Sequence, residues 1–122
     1  MAKLKVHAGD FSSTTDTVHV MFGNISIHDP MGGGLTGKTE AFAKFQIETI
    51  ELASEESAIR LGGAAGWGAV GGVLLGPVGL LAGLLLGGKG KDVTFIMVLK
   101  DGRKMLATTD SKTYTKMQSV MF

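Results

Sequence analysis

Apolar and polar residues alternate in short stretches towards both ends of the chain, and the alternation stops between Gly62 and Gly88. Leu4-Lys5-Val6 is a short alternating start. Thr17-Val18-His19-Val20-Met21-Phe22 is rich in β-branched residues and predicts a strand. Gly23-Asn24 is a turn signal leading into Ile25-Ser26-Ile27-His28, so the pair reads as a hairpin. Asp29-Pro30 ends it, and Met31 to Gly37 reads as a glycine-rich loop. From Ala41 the apolar positions fall on Ala41, Ala43, Phe45 and Ile47, the period of a half-buried strand. Ile50 and Leu52 are out of phase with that series, which predicts a bulge or bend near Thr49.

Ser54-Glu55-Glu56 has the form of a helix start, with a capping hydroxyl and acids in the first turn. Val93 to Leu99 predicts a strong strand, Asp101-Gly102 a hairpin turn, and Arg103 to Thr108 the returning strand. Thr109 or Asp110 then caps a final helix with Tyr114, Met117 and Met121 on one face. Met21, Met97 and Met105 join Met117 and Met121 as expected core residues. The expected class is α+β. A small antiparallel sheet or half-barrel with a C-terminal helix is interrupted by a glycine-rich apolar helical hairpin. Residues 1–61 with 89–122 form one β-rich domain, and 62–88 are an insertion.

The insertion has no charged side chain, and eleven of its residues are glycine. Gly68, Gly72 and Gly76 form one GxxxGxxxG series, Gly79, Gly83 and Gly87 a second, and Pro77 sits at the break. Glycines four apart share a helix face and let another backbone approach closely. Each glycine costs up to about 1 kcal/mol against alanine in a water-exposed helix, so the segment needs close neighbours. Three readings are open: one kinked transmembrane helix, a hairpin turning at Gly76-Pro77-Val78-Gly79, and a segment buried within a soluble protein. The hairpin is preferred because it leaves both β-rich flanks on one side, able to complete one sheet. Its arms, roughly 16–22 Å at the helical rise, are too short to span a bilayer singly. On this reading the six zipper glycines make close helix contacts. Leu74, Leu75, Leu80, Leu84 and Leu85 then face lipid or a neighbouring chain.

On those glycine series the segment resembles the glycine-zipper class of small membrane-associating bacterial proteins. The hairpin of Val93 to Thr108 and the helix from Ser111 are similar to bacterial pleckstrin-homology-like domains, whose curved antiparallel sheet ends in a helix. The first resemblance implies a homo-oligomer, with itself and a lipid bilayer as partners. The second implies a soluble module that binds lipid or peptide, with the apolar segment packed internally.

Charge and composition narrow this further. The formal net charge is +1, so no overall basic field points to nucleic acid. The absence of cysteine excludes disulfides and thiolate chemistry and fits a reducing compartment. The N-terminus lacks the apolar run of a secretory signal, so a cytoplasmic-side, membrane-associated location is expected. Gly32 to Thr39 fits GxxxxGK[ST], in which Gly32, Gly37, Lys38 and Thr39 would bind phosphate if a helix followed. The residues after Thr39 alternate like a strand instead, so a loop is preferred over a small nucleotide binder. His7, His19 and His28 with Asp10, Asp16 and Asp29 match no metal-ligand spacing. No cofactor, metal or catalytic residue is expected, and the functional expectation is a non-enzymatic, self-assembling protein.

Overall fold

The computed structural model describes residues 2–12, 14–32, 35, 37–61 and 91–121. They form two antiparallel four-stranded sheets and two helices. The first sheet has the order β1 (Ala2–Lys3), β3 (Thr17–Met21), β4 (Asn24–Asp29), β5 (Lys38–Ala43). The second has the order β2 (Lys5–Gly9), β8 (Lys104–Asp110), β7 (Asp92–Leu99), β6 (Ile47–Leu52). The chain changes sheet three times: at Leu4 between β1 and β2, in the loop between β2 and β3, and at a 3-10 turn, Lys44–Gln46, between β5 and β6. Strands β2 and β6, which enter the second sheet, each carry a register shift, between Val6 and Ala8 and between Ile47 and Thr49. Bulges of this kind turn a strand from one sheet into the next. The expected irregularity near Thr49 is one of them.

The antiparallel sheets and the C-terminal helix agree with the expected class; the glycine-rich hairpin lies outside the described residues. One phase is corrected. Phe42 is buried and Phe45 is 74% exposed, the reverse of the expected Ala41-Ala43-Phe45-Ile47 face. The cause is the 3-10 turn, which breaks the period-two count before β6 begins. Phe42 pairs with Ile25, and β3 and β4 pair Val18 with Ile27, so these side chains share the inner face. Met97, Met105 and Met117 are fully buried as expected, but Met21, at the end of β3, is 48% exposed.

The core between the sheets holds Val18, Ile25, Phe42, Ile47, Phe95, Met97 and Met105. Helix α2 (Ser111–Val120) packs on β3, β4, β7 and β8 and adds Met117 and Val120. Asp110 starts it, accepting from the Thr113 backbone N–H at 3.0 Å and the Thr113 hydroxyl at 2.6 Å. Near its other end the Gln118 amide donates to the Ile50 carbonyl at 2.7 Å, tying helix to sheet.

Candidate functional site

Two places on this scaffold bear on function: the root from which residues 62–90 depart, and a cleft between the sheets. The root is built on β6. Beyond Leu52, which pairs with Phe95, the Ala53 N–H still donates to the Thr94 carbonyl at 2.9 Å. Ser54 and Ser57 then form a reciprocal cap. Ser54 Oγ accepts from the Ser57 N–H at 3.0 Å, and Ser57 Oγ accepts from the Ser54 N–H at 2.8 Å. Helix α1 (Glu55–Leu61) follows, and Arg60 in its last turn pairs with Glu51.

The helix lies across the outer face of the second sheet. Ala53 and Ala58 cover Ile96 and Leu106, with Leu61 and Val98 packed alongside. Ile96 and Leu106 alternate with the core residues of β7 and β8, so this sheet buries apolar side chains on both faces. The chain returns at Lys91, whose carbonyl accepts from the Ser111 N–H at 2.8 Å. Leu61 packs on the second sheet, and Lys91 leads directly into β7 of the same sheet. The expected interface residues (Gly68, Gly72, Gly76, Gly79, Gly83, Gly87, Leu74, Leu75, Leu80, Leu84 and Leu85) and the turn residue Pro77 lie outside the described residues. Among the described residues no helix is long and apolar enough to cross a membrane.

The cleft, of about 140 Å³, lies between the β2–β3 loop, β4–β5 and the β7–β8 turn. Its lining includes Asp10, Phe11, Asp29, Lys38, Glu40 and Arg103. Arg103 is the centre of its electrostatics. Nη1 donates to Glu40 at 2.7 Å and Nε to Asp101 at 2.9 Å. The guanidinium carbon lies 5.3 Å from the Phe11 ring centre and 5.7 Å from that of Phe42. Those partners raise the Arg103 pKa, first through the Glu40 hydrogen bond. Asp10 accepts from the Lys104 backbone N–H at 3.0 Å. Asp29 accepts from the Thr14 hydroxyl at 2.6 Å and the Met31 N–H at 3.0 Å, and the Thr14 bond is the main cause holding its carboxyl below the usual range. The cleft is smaller than ligand pockets of about 300–1,000 Å³, and its Arg103 guanidinium is already engaged by Glu40 and Asp101. Sequence reasoning missed this arrangement, because the partners of Arg103 are scattered from Phe11 to Asp101.

In the GxxxxGK[ST] pattern, whose described residues are Gly32, Leu35, Gly37, Lys38 and Thr39, Lys38 and Thr39 open a strand, β5, rather than a helix. The Thr39 hydroxyl is paired with His28 Nδ1 at 2.8 Å. Gly37 has a structural reason of its own. Its φ is +81°, and a Cβ there would stand 2.5 Å from the Asp29 carbonyl oxygen. Among the described residues no three His, Asp or Glu side chains gather as metal ligands, and His7 instead bonds Thr108 Oγ1 at 2.8 Å.

Comparison with protein-family models, with curated proteins and with solved structures finds no match to this chain.

Proposed function

We propose that this is a non-enzymatic, self-assembling protein: a β scaffold that carries an uncharged glycine-rich arm and homo-oligomerises through it at a membrane. The observation that carries the reading is the pairing of β6 with β7 on either side of residues 62–90. The arm must leave the scaffold and come back to it. A single bilayer crossing would place paired strands of one sheet on opposite sides of the membrane. That argues against one transmembrane helix and favours an out-and-back path with a turn at Pro77.

Two apolar limbs with glycines at every fourth position can approach each other, or the limbs of another copy, at backbone contact distance. The limbs carry ten Leu and Val, worth about 0.3–0.6 kcal/mol each on insertion into lipid, so close packing must supply much of the stabilisation. Packing between copies offers more such surface than one limb pair alone. The arm's root is firm enough to transmit this. Helix α1 is capped by Ser54, tied by Arg60 to Glu51, and seated on Ile96 and Leu106.

Light scattering combined with vesicle flotation of the full chain tests the proposal. The expected result is a particle of several copies that floats with lipid. A monomer with no affinity for vesicles overturns it.

A further inference from the structure

Three of the large exposed apolar side chains gather at one corner of the scaffold. Phe22 is 93% exposed, Phe45 74% and Met21 48%. The strand register brings them together. Asn24 pairs with Met21 across the β3–β4 turn and with Ala43 on its other side, so Phe22 and Phe45 emerge just beyond adjacent strand ends. The backbone adds a second observation. Phe22 has φ +53°, alone among the described non-glycine residues in being positive, and Gly23 follows at +76°. Two positive φ values in a two-residue loop make a type I′ turn, which favours Asn, Asp or Gly at its first position. A bulky phenylalanine there is strained and, being almost wholly exposed, gains no burial in the scaffold to compensate.

Lysines stand beside this aromatic pair. Lys44 is exposed in the 3-10 turn next to Phe45. The Lys100 N–H donates to the Gln46 carbonyl at 2.9 Å, which sets a second exposed lysine against the same turn. The acids close to them in sequence are Glu40 and Asp101, both paired with Arg103, and Glu48, exposed further along β6.

We propose that this corner is a docking tip for the anionic surface of a lipid bilayer. Phe22 and Phe45 enter the headgroup region, where amphipathic surfaces with apolar tips are stabilised, and Lys44 and Lys100 meet lipid phosphates. The pairing of protruding apolar rings with flanking cations selects this occupant over an apolar protein partner, which would leave the two ammonium groups against it uncompensated. The tip precedes β6 and the arm's root follows it, about 17 Å away at the strand rise. The tip is thus a contact separate from the arm, and it does not rest on assembly through the glycines.

The test is co-sedimentation of the full chain with phosphatidylcholine vesicles, with and without phosphatidylserine. The parent is expected to bind better when phosphatidylserine is present. Phe22→Asn with Phe45→Ser should weaken binding about tenfold or more, while Phe22→Asn alone maintains or raises the melting temperature by relieving the turn. A merely structural role for Phe22 would move stability the other way. Lys44→Glu with Lys100→Glu should abolish the preference for phosphatidylserine and leave binding to neutral vesicles in place. A parent without that preference, or an aromatic double variant that binds like the parent, overturns the proposal. So does an aromatic double variant with a smaller particle mass in lipid-free light scattering, since the corner would then join copies of the chain. Failure of assembly through the arm would instead show as a monomeric parent and would leave the vesicle comparison readable.

Discussion

The Arg103 guanidinium donates to the Glu40 carboxylate at 2.7 Å, joining the β7–β8 turn of one sheet to strand β5 of the other. The same group lies against the rings of Phe11 and Phe42, which meet edge to face with centres 5.9 Å apart. One side chain therefore bridges the two sheets at the cleft. Its partners are partly solvated: the Arg103 side chain is 39% exposed and that of Glu40 29%. A partly exposed pair of this kind contributes about 0.2–1 kcal/mol, with a similar amount from the ring contacts. A double-mutant cycle of Arg103→Met and Glu40→Gln should give a coupling of about 0.5–1 kcal/mol that shrinks in high salt. Urea melts of the four proteins measure it, and a coupling near zero would mean the bridge does not join the sheets energetically.

Much of this architecture was legible along the chain because each signal was local. Asp101-Gly102 fixes a turn, Ser54 and Asp110 fix helix starts, and Ile50 falling out of phase marks a bulge. The 3-10 turn at Lys44–Gln46 was not legible, since Phe45 continued an apparent alternation that Phe42 in fact carries. The cleft was hidden for a different reason. Arg103, Phe11, Phe42 and Glu40 come from distant segments, and only closure of two sheets assembles them. The docking corner left a faint trace, a phenylalanine directly before Gly23 where a turn was due. Its meaning required the positive φ of Phe22.

Helix α2 should lend the fold an acid-sensitive increment. Hydrogen bonds from the Thr113 side chain, and then from its backbone N–H, hold the Asp110 carboxyl below its ordinary range. A lowered carboxylate pKa means that the unfolded state binds the proton more readily. The stabilisation is present above the unfolded value, about 4, and is lost as pH falls from there through the lower folded value. Asp110→Asn retains a capping oxygen but cannot titrate. Its melting temperature should match the parent's more closely as the solution is acidified from neutral. Parallel melting curves for parent and variant across this range would contradict the assignment.

His7 gives a second pH dependence in a different window. Burial first, and the charge of Lys5 second, lower its pKa, while its ring bonds Thr108 Oγ1 at 2.8 Å. Folding therefore disfavours the imidazolium, and the unfolded chain takes up the proton first. The contribution is present above the ordinary histidine value, about 6.5, and is lost as pH falls through the lower folded value. His7→Gln can still bond Thr108 and removes the titration. Between about pH 7 and pH 5 the parent should lose stability relative to this variant. Thermal melts at several pH values decide it, and an unchanged difference counts against the burial argument.

The loop before β5 predicts an indifference to nucleotides. Gly37 is required by its φ of +81° and its approach to the Asp29 carbonyl, and Lys38 begins a strand. Magnesium nucleotide at a concentration well above a typical dissociation constant raises stability by RT ln(1 + [L]/Kd), about 2.7 kcal/mol at a hundredfold excess. No such rise is expected here, in the parent or in Lys38→Ala. Gly37→Ala should destabilise the ligand-free protein by about 1–3 kcal/mol, because both the backbone conformation and the close contact exclude a side chain. A nucleotide-dependent shift that Lys38→Ala removes would restore the phosphate-loop reading.

The zipper glycines provide the sharpest contrast with the scaffold. If backbones meet at Gly72 and Gly83, a leucine at either position forces the limbs apart and removes the close contact. Among the described residues, Phe95, Met97 and Met105 are packed by β-strand neighbours and α2. Gly72→Leu and Gly83→Leu should each reduce the particle mass in light scattering while the β-rich circular dichroism and the melting transition of the scaffold persist. Phe95→Ala is the complementary control: it should destabilise the fold by about 3–5 kcal/mol through a cavity in the core. Because both leucine variants add apolar surface, a general gain in stickiness would enlarge the particle, whereas loss of a close backbone contact shrinks it. An unchanged mass in both variants would show that the glycine faces are not where the copies meet.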